Sequence, residues 1–140
     1  MSVDHCRHVK KLSKHGLAVV RANRLLVVRE RNTTQFLLPG GRPQGDESVQ
    51  DTLKREVREE LGVNINTASL RYYGTFEDMA ANEPDTVVQV SVSLGEIENT
   101  VKPSSEIDEI AWVGSRHNLP LAPSIKNKIL PSLVKDGIVL

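Results

Sequence analysis

Residues 40–63 read GGRPQGDESVQDTLKREVREELGV, and this stretch decides the fold of the chain. Two glycines and a Pro/Gly loop lead into a segment whose apolar residues recur every four positions, a spacing typical of the buried face of an α-helix. These apolar residues are Val49, Leu53, Val57 and Leu61. We predict that the helix begins near Asp46 or Glu47, with Asp46 as its cap, and ends at Gly62.

Three glutamates share one face of this predicted helix. Glu56, Glu59 and Glu60 stand at i, i+3 and i+4, so their side chains fall within an arc about 100° wide. Glu56 and Glu60 border the apolar stripe and should be half-buried, whereas Lys54 and Arg58 lie opposite it. Like charges at a buried edge need a cation, and an all-oxygen cluster suits Mg²⁺ or Mn²⁺. The alternative is a solvated acidic face with local arginine–glutamate pairs.

The spacing of glycines and charged residues resembles the signature of the Nudix hydrolases at every fixed position. The matching residues, in chain order, are Gly41, Glu47, Arg55-Glu56-Val57, Glu59-Glu60 and Gly62-Val63. The resemblance implies a Nudix-type α/β/α sandwich with a central mixed β-sheet. It also implies a Mg²⁺-dependent hydrolase, with Mn²⁺ as a substitute. Such an enzyme uses a metal-activated water to cleave a pyrophosphate bond in a nucleoside diphosphate linked to another group.

The resemblance further implies which oxygen atoms bind the metal. They are the main-chain carbonyl oxygen of Gly40 and the carboxylates of Glu56, Glu59 and Glu60. The glycine pair permits a tight turn and close approach of a ligand to the backbone. A P-loop is excluded, because Asp46-Glu47 stands where that motif requires Lys-Ser/Thr.

Four further residues have predicted supporting or substrate-binding roles. Glu47 supports the metal ligands, and Arg55, which can reach Glu59 at i+4, orients the carboxylates. Gly41 and Arg42 would bind the substrate, with Arg42 contacting a phosphate oxygen. The alternative for Arg42 is a solvated surface arginine.

The general base is left open among three carboxylates. Glu56 is one candidate, and the family often places another carboxylate in a later loop. Segment 104–109 offers Glu106, which we rank first there, and Glu109, although a plain surface acid is an equal alternative. Five aromatic side chains could stack on a nucleobase, yet most buried aromatic residues belong to the core. They are Phe36, Tyr72, Tyr73, Phe76 and Trp112.

Composition limits the classes of protein. A chain of 140 residues is expected to form one domain, residues 1–140. Eighteen basic and eighteen acidic residues give no net charge, which argues against a nucleic-acid-coating or membrane-surface protein. We expect a cytoplasmic protein, because no apolar run of about 18 residues and no signal-peptide pattern occur. A homodimer is compatible with the sequence.

The N-terminal residues His5, Cys6 and His8 lie close together, but a metal site there would lack a fourth ligand. Cys6 is the only cysteine, which excludes an intramolecular disulfide and fits a reducing compartment. A structural or disordered role is therefore favoured for this segment.

The remaining chain is predicted to supply strands and a second helix. The strands are expected at 16–20 and 25–28, joined as a hairpin, and at 36–38, 70–76, 86–94 and 110–113. The helix is expected at 124–135, capped by Ser124, with Ile125, Ile129 and Leu133 buried and Pro131 interrupting it. The polar loop 77–85 would either carry specificity or be a plain connection.

The sequence narrows the substrate without identifying it. A small chain favours a nucleoside triphosphate or short nucleotide derivative, with ADP-ribose or a nucleotide sugar as alternatives. The extended family motifs for coenzyme A, NADH and diadenosine polyphosphates do not occur. A non-catalytic nucleotide-binding regulatory module would have lost one of the signature carboxylates, and none is lost. The neutral charge disfavours processing of RNA 5′ ends.

Overall fold

The computed structural model describes residues 9–98 and 101–140, so the His5, Cys6 and His8 cluster lies outside the described residues. Seven strands and two helices are present in the described part. The strands are β1 Lys10–Ala18, β2 Val20–Arg21, β3 Arg24–Glu30, β4 Gly40–Gly41, β5 Ile65–Met79, β6 Thr86–Ile97 and β7 Ile107–Val113. The helices are α1 Val49–Leu61 and α2 Leu130–Lys135, the latter preceded by a π-helical turn, Ile125–Ile129.

The strands form two sheets that meet where β1 is followed by β2. The first sheet has the order β4-β1-β6-β5, in which β1 and β6 are parallel and the other pairs antiparallel. The second has the order β2-β3-β7 and is antiparallel. The mixed sheet predicted for the centre of the molecule is therefore confirmed.

Alternating side chains of β1 and β3 supply two separate hydrophobic cores. Leu17, Val19, Leu26 and Val28 pack with residues of α1, whereas Ala18, Leu25 and Val27 pack with residues of the C-terminal helix. Successive strand residues point to opposite faces, so each face of the strands is covered by one helix. The α/β/α arrangement is confirmed.

Helix α1 begins two to three residues later than predicted. Its N-cap is Ser48, whose Oγ accepts a hydrogen bond from the N–H of Asp51 at 3.1 Å, so the prediction that Asp46 caps the helix is wrong. Val49 is also misassigned, because it is 41% exposed and the buried stripe starts one turn later. The predicted end is confirmed: Gly62 has φ 68°, the left-handed conformation that glycine adopts without strain.

The first hairpin is confirmed, with Ala22 and Asn23 both at positive φ as a tight two-residue turn requires. Strand β1 starts earlier than predicted, because it pairs with β6 over its whole length. Strand β5 is likewise longer at both ends. The predicted strand 36–38 is reduced to isolated bridges, Leu37 with Val28 and Phe36 with Leu121.

The C-terminal helix is interrupted as predicted. Pro131 has no N–H to donate, and the wider π-helical turn immediately precedes α2. Ile125, Ile129 and Leu133 are buried as expected. Ser124 has helical φ and ψ and makes no capping hydrogen bond through its side chain, so the prediction that it caps the helix is wrong.

Candidate active site

A cavity of about 490 Å³ connects the acidic face of α1 with the core beneath the C-terminal helix. We call its aliphatic part the apolar chamber; its walls are Leu12, Leu38, Val88, Val90, Ala122, Ile125 and Ile129. Its other part, the acidic end, consists of Gly40, Gly41, Glu56 and Glu60. One cavity thus joins a charged site to an apolar one.

The glycine pair has no room for side chains. In β4, Gly41 pairs with His15 and Gly40 with Gly16. A Cβ atom on Gly40 would lie 2.1 Å from the backbone oxygen of His15, and Gly40 has φ 138°. A Cβ atom on Gly41 would lie 1.9 Å from Oε2 of Glu56. The glycines therefore allow the loop backbone to lie directly against the carboxylate of Glu56.

Two of the helix carboxylates are held in surroundings that disfavour their charge. Burial raises the pKa of Glu60 to about 8, with further repulsion from Glu56 and Glu30, although the N–H of Gly40 donates to its Oε1 at 3.0 Å. Burial also raises the pKa of Glu56, and the nearby Arg55 guanidinium opposes that rise. Both side chains are half-buried, as predicted. A bound cation would relieve the repulsion at this end of the cavity.

Arg55 joins the loop before α1 to the helix. Its Nε and Nη2 donate to the two carboxylate oxygens of Glu47 at 2.8 and 2.9 Å, and Nη2 also donates to the carbonyl of Arg42 at 3.0 Å. The guanidinium lowers the pKa of Glu47 to about 2. Arg55 Nη1 lies 3.5 Å from Glu56 and 3.6 Å from Glu59, so the predicted i+4 pair exists but is the longer contact.

The donor atoms near the glycine pair suit a hard divalent cation in their chemistry. Glu56 and Glu60 supply carboxylate oxygens, the type of donor that such cations prefer, although burial opposes the ionisation of both groups. Glu59 is 53% exposed and faces Arg55. Within residues 9–98 and 101–140, no three His, Cys, Asp or Glu side chains are gathered closely enough to hold a metal ion.

The later loop does not join the cavity. Glu106 is exposed and is absent from the cavity wall. Glu109 and Asp108 instead form ion pairs with Arg29 at 3.2 and 3.0 Å. Arg42, in contrast, lines the cavity beside the glycines, where a phosphate-binding residue was expected.

Several cavity residues were missed by the sequence reasoning, namely Lys14, His15, Glu30, Glu83 and Ser124. No motif marks them, because they come from β1, β3, the 80–85 loop and the C-terminal helix. The polar loop lies at the cavity, which is lined by Ala80, Ala81 and Glu83. A loop that determines substrate specificity would have to lie there. None of the aromatic residues lines this cavity, so the chamber walls are aliphatic.

Together, fold and site define an α/β/α protein in which an acidic helix and a glycine turn face one cavity. The NUDIX domain profile matches residues 14–133, so the chain belongs to the Nudix family and is a pyrophosphohydrolase of that family. Nudix hydrolases use divalent metal ions and act on small nucleotide substrates.

Solved structures of the family share this fold. The MutT protein from Methanosarcina mazei Go1 is 20% identical with a TM-score of 0.73, covering 94% of this chain and 98% of that one. The ORF135 protein of E. coli is 19% identical with a TM-score of 0.68, covering 92% and 94%. An ADP-ribose pyrophosphatase from Streptococcus suis is 22% identical with a TM-score of 0.59, covering 89% and 90%.

At these identities the likeness establishes the fold alone. No curated protein matches the chain significantly in sequence. Among the described residues, no helix combines the length and apolar character that crossing a bilayer requires.

Proposed function

We propose that this protein hydrolyses a pyrophosphate bond in a nucleoside triphosphate or a short nucleotide derivative, with Mg²⁺ as cofactor and Mn²⁺ as a substitute. The observation that supports this proposal is the single cavity joining the acidic end to the apolar chamber. A nucleotide has the same division, because its phosphates are strongly charged and its base has apolar faces. The diphosphate would lie at the acidic end and the nucleoside would extend into the chamber.

The residues that would hold the cation are the carbonyl oxygen of Gly40 and the carboxylates of Glu56, Glu59 and Glu60, and Glu59 would have to turn away from Arg55 to join the other two. When bound, Mg²⁺ would neutralise phosphate charge and lower the pKa of a water molecule. The N–H of Gly40 keeps one oxygen of Glu60 at a fixed position, 3.0 Å away. The backbone of this turn thus orients a carboxylate as well as offering a carbonyl.

The protein's own contribution is positioning and proton transfer. Arg55 and Glu47 hold the loop against α1 through paired hydrogen bonds, which fixes Arg42 beside the cavity. We propose Glu56 as the general base, because its carboxylate lines the cavity at the acidic end, where the attacked phosphate would lie. Glu56 would accept the proton of the attacking water. Glu106 stays a candidate base by family resemblance, although it does not line the cavity.

The chamber restricts the group attached to the diphosphate. Its walls are aliphatic, and Ala80, Ala81 and Ala122 leave space beside them. A nucleobase packed between Val, Ile and Leu side chains gains dispersion contacts without aromatic stacking. ADP-ribose and nucleotide sugars remain alternative substrates, since the cavity also opens towards the 80–85 loop.

Release of phosphate from a panel of nucleotides, with and without Mg²⁺, tests the proposal. The panel contains nucleoside triphosphates, ADP-ribose and a nucleotide sugar. We expect Glu59→Gln and Glu60→Gln to abolish turnover while circular dichroism shows an intact fold. Glu109→Gln is the matched control, because this glutamate pairs with Arg29 and does not line the cavity. Failure to hydrolyse any member, or wild-type rates in both variants, would contradict the proposal and favour a regulatory nucleotide-binding module.

A further inference from the structure

Two basic residues that line the cavity form no ion pair within the described part of the chain. In the antiparallel pair of β1 and β4, His15 lies opposite Gly41. The next residues beyond this pair are Lys14 on β1 and Arg42 in the loop after β4. Both line the cavity. Among the described residues, neither side chain forms an ion pair. Like charges on neighbouring strands repel each other, so an anion between them would stabilise the arrangement.

Lys14 stands on the chamber face of β1. Alternation along the strand puts Leu12 and Gly16 on the same face, and Leu12 is a wall of the chamber. A Cβ atom on Gly16 would lie 3.1 Å from the side chains of both Leu38 and Val90, two further walls. The stem of Lys14 therefore starts on the face that forms the chamber.

The charge of Lys14 also reaches the acidic end. The positive charge of Lys14 lowers the pKa of both Glu56 and Glu60. Nζ of Lys14 is nevertheless not within ion-pair distance of either carboxylate. Lys14 therefore lines the cavity near Glu56 and Glu60 without forming an ion pair with either of them. A phosphate attached to a nucleoside in the chamber would occupy this same region.

We propose that Lys14 binds the substrate phosphate nearest the nucleoside and shares the diphosphate with Arg42. This inference rests on the proposed function and adds a phosphate-binding residue to it. A lysine ammonium has three donors and acts on phosphate as a point charge, whereas the guanidinium of Arg42 can make paired contacts. Lys14 and Arg42 would then both contact the diphosphate where they line the cavity.

The strand offers a matched control for the test. Lys14→Met removes the charge but keeps an apolar stem, and Lys14→Arg keeps a positive charge. Lys11 lies on the same strand, forms an ion pair with Glu77 at 3.2 Å and does not line the cavity. Binding of inorganic pyrophosphate is measured by calorimetry with and without Mg²⁺, since this probe needs neither hydrolysis nor a known nucleoside.

We expect Lys14→Met to weaken pyrophosphate binding about tenfold or more, the loss typical of one charge-assisted hydrogen bond. Lys14→Arg should stay within about threefold of wild type, and Lys11→Met should bind as wild type does. On any nucleotide that wild type hydrolyses, Lys14→Met should raise KM by a similar factor with a smaller change in kcat. Should Lys14→Met fail to fold, Lys14→Gln serves in its place.

The outcomes separate the two proposals. Equal pyrophosphate affinity in wild type and Lys14→Met, or no binding to wild type, overturns the role of Lys14 even if nucleotides are hydrolysed. Weakened binding in Lys14→Met, together with no hydrolysis of any nucleotide by wild type, supports the phosphate site and contradicts the proposed function.

Discussion

Glu60→Gln should stabilise the metal-free protein at alkaline pH, although it removes a proposed metal ligand. Burial raises the pKa of Glu60 from 4.5 to about 8, and the neighbouring Glu56 and Glu30 add repulsion. Between these two pH values the folded protein binds more protons at Glu60 than the unfolded chain does. The stability of the wild-type protein should therefore fall as pH rises from about 4.5 to about 8. Glutamine removes the charge and keeps an oxygen that can accept the N–H of Gly40.

The size of the effect follows from the pKa of Glu60. A pKa shift of one unit corresponds to about 1.4 kcal/mol. Raising the pKa of Glu60 from 4.5 to about 8 therefore means that the folded state disfavours the charged carboxylate by at most roughly 5 kcal/mol. Relaxation of the side chain and entry of water reduce this figure. We expect Glu60→Gln to raise the free energy of unfolding by about 2 kcal/mol at pH 8.5, which is about 5 °C in Tm. Near pH 5, where Glu60 is protonated in the folded protein, the gain should vanish.

Thermal unfolding in EDTA between pH 4.5 and 9 measures this difference. Glu59→Gln is the control, because Glu59 is 53% exposed and its charge is solvated. Adding Mg²⁺ should reverse the order of stability, since the wild-type protein gains a bound cation that Glu60→Gln binds poorly. The reasoning is refuted if Glu60→Gln is no more stable than wild type at pH 8.5, or if its gain is as large at pH 5.

Four further substitutions test the geometry of the site. Gly41→Ala places a Cβ atom against the flexible end of the Glu56 side chain, so kcat should fall about 100-fold with little change in Tm. Gly40→Ala places a Cβ atom against rigid backbone at a positive φ, so this variant should lower Tm by several degrees. Equal losses of Tm in the two variants would contradict this contrast. Arg55→Lys keeps the charge but loses the paired hydrogen bonds, so kcat should fall about tenfold, and an unchanged kcat would remove its positioning role. Glu106→Gln should keep at least about half of wild-type kcat across the pH profile because it lies off the cavity wall, whereas a loss comparable with that of Glu56→Gln would make Glu106 the base.

Short-range patterns gave the predictions that the structure confirms. The four-residue spacing located α1 and placed Glu56 and Glu60 at its half-buried edge, and Gly62 marked its end. Errors occurred where two local signals compete. Asp46 and Ser48 are both good N-caps, and only the conformation of the preceding loop selects Ser48.

The sequence by itself determined the family signature, the acidic face of α1 and the approximate positions of most strands, because each depends on residues within a few positions of one another. Only the tertiary structure decided which side chains form the cavity. Parallel pairing of β1 with β6 sets Lys14 beside Val90, and the C-terminal helix adds Ser124 to the same wall. Residues so distant along the chain share no periodicity that could reveal their contact. The walls of the cavity, and the position of Lys14 within them, therefore exist only once the sheet and both helices have packed.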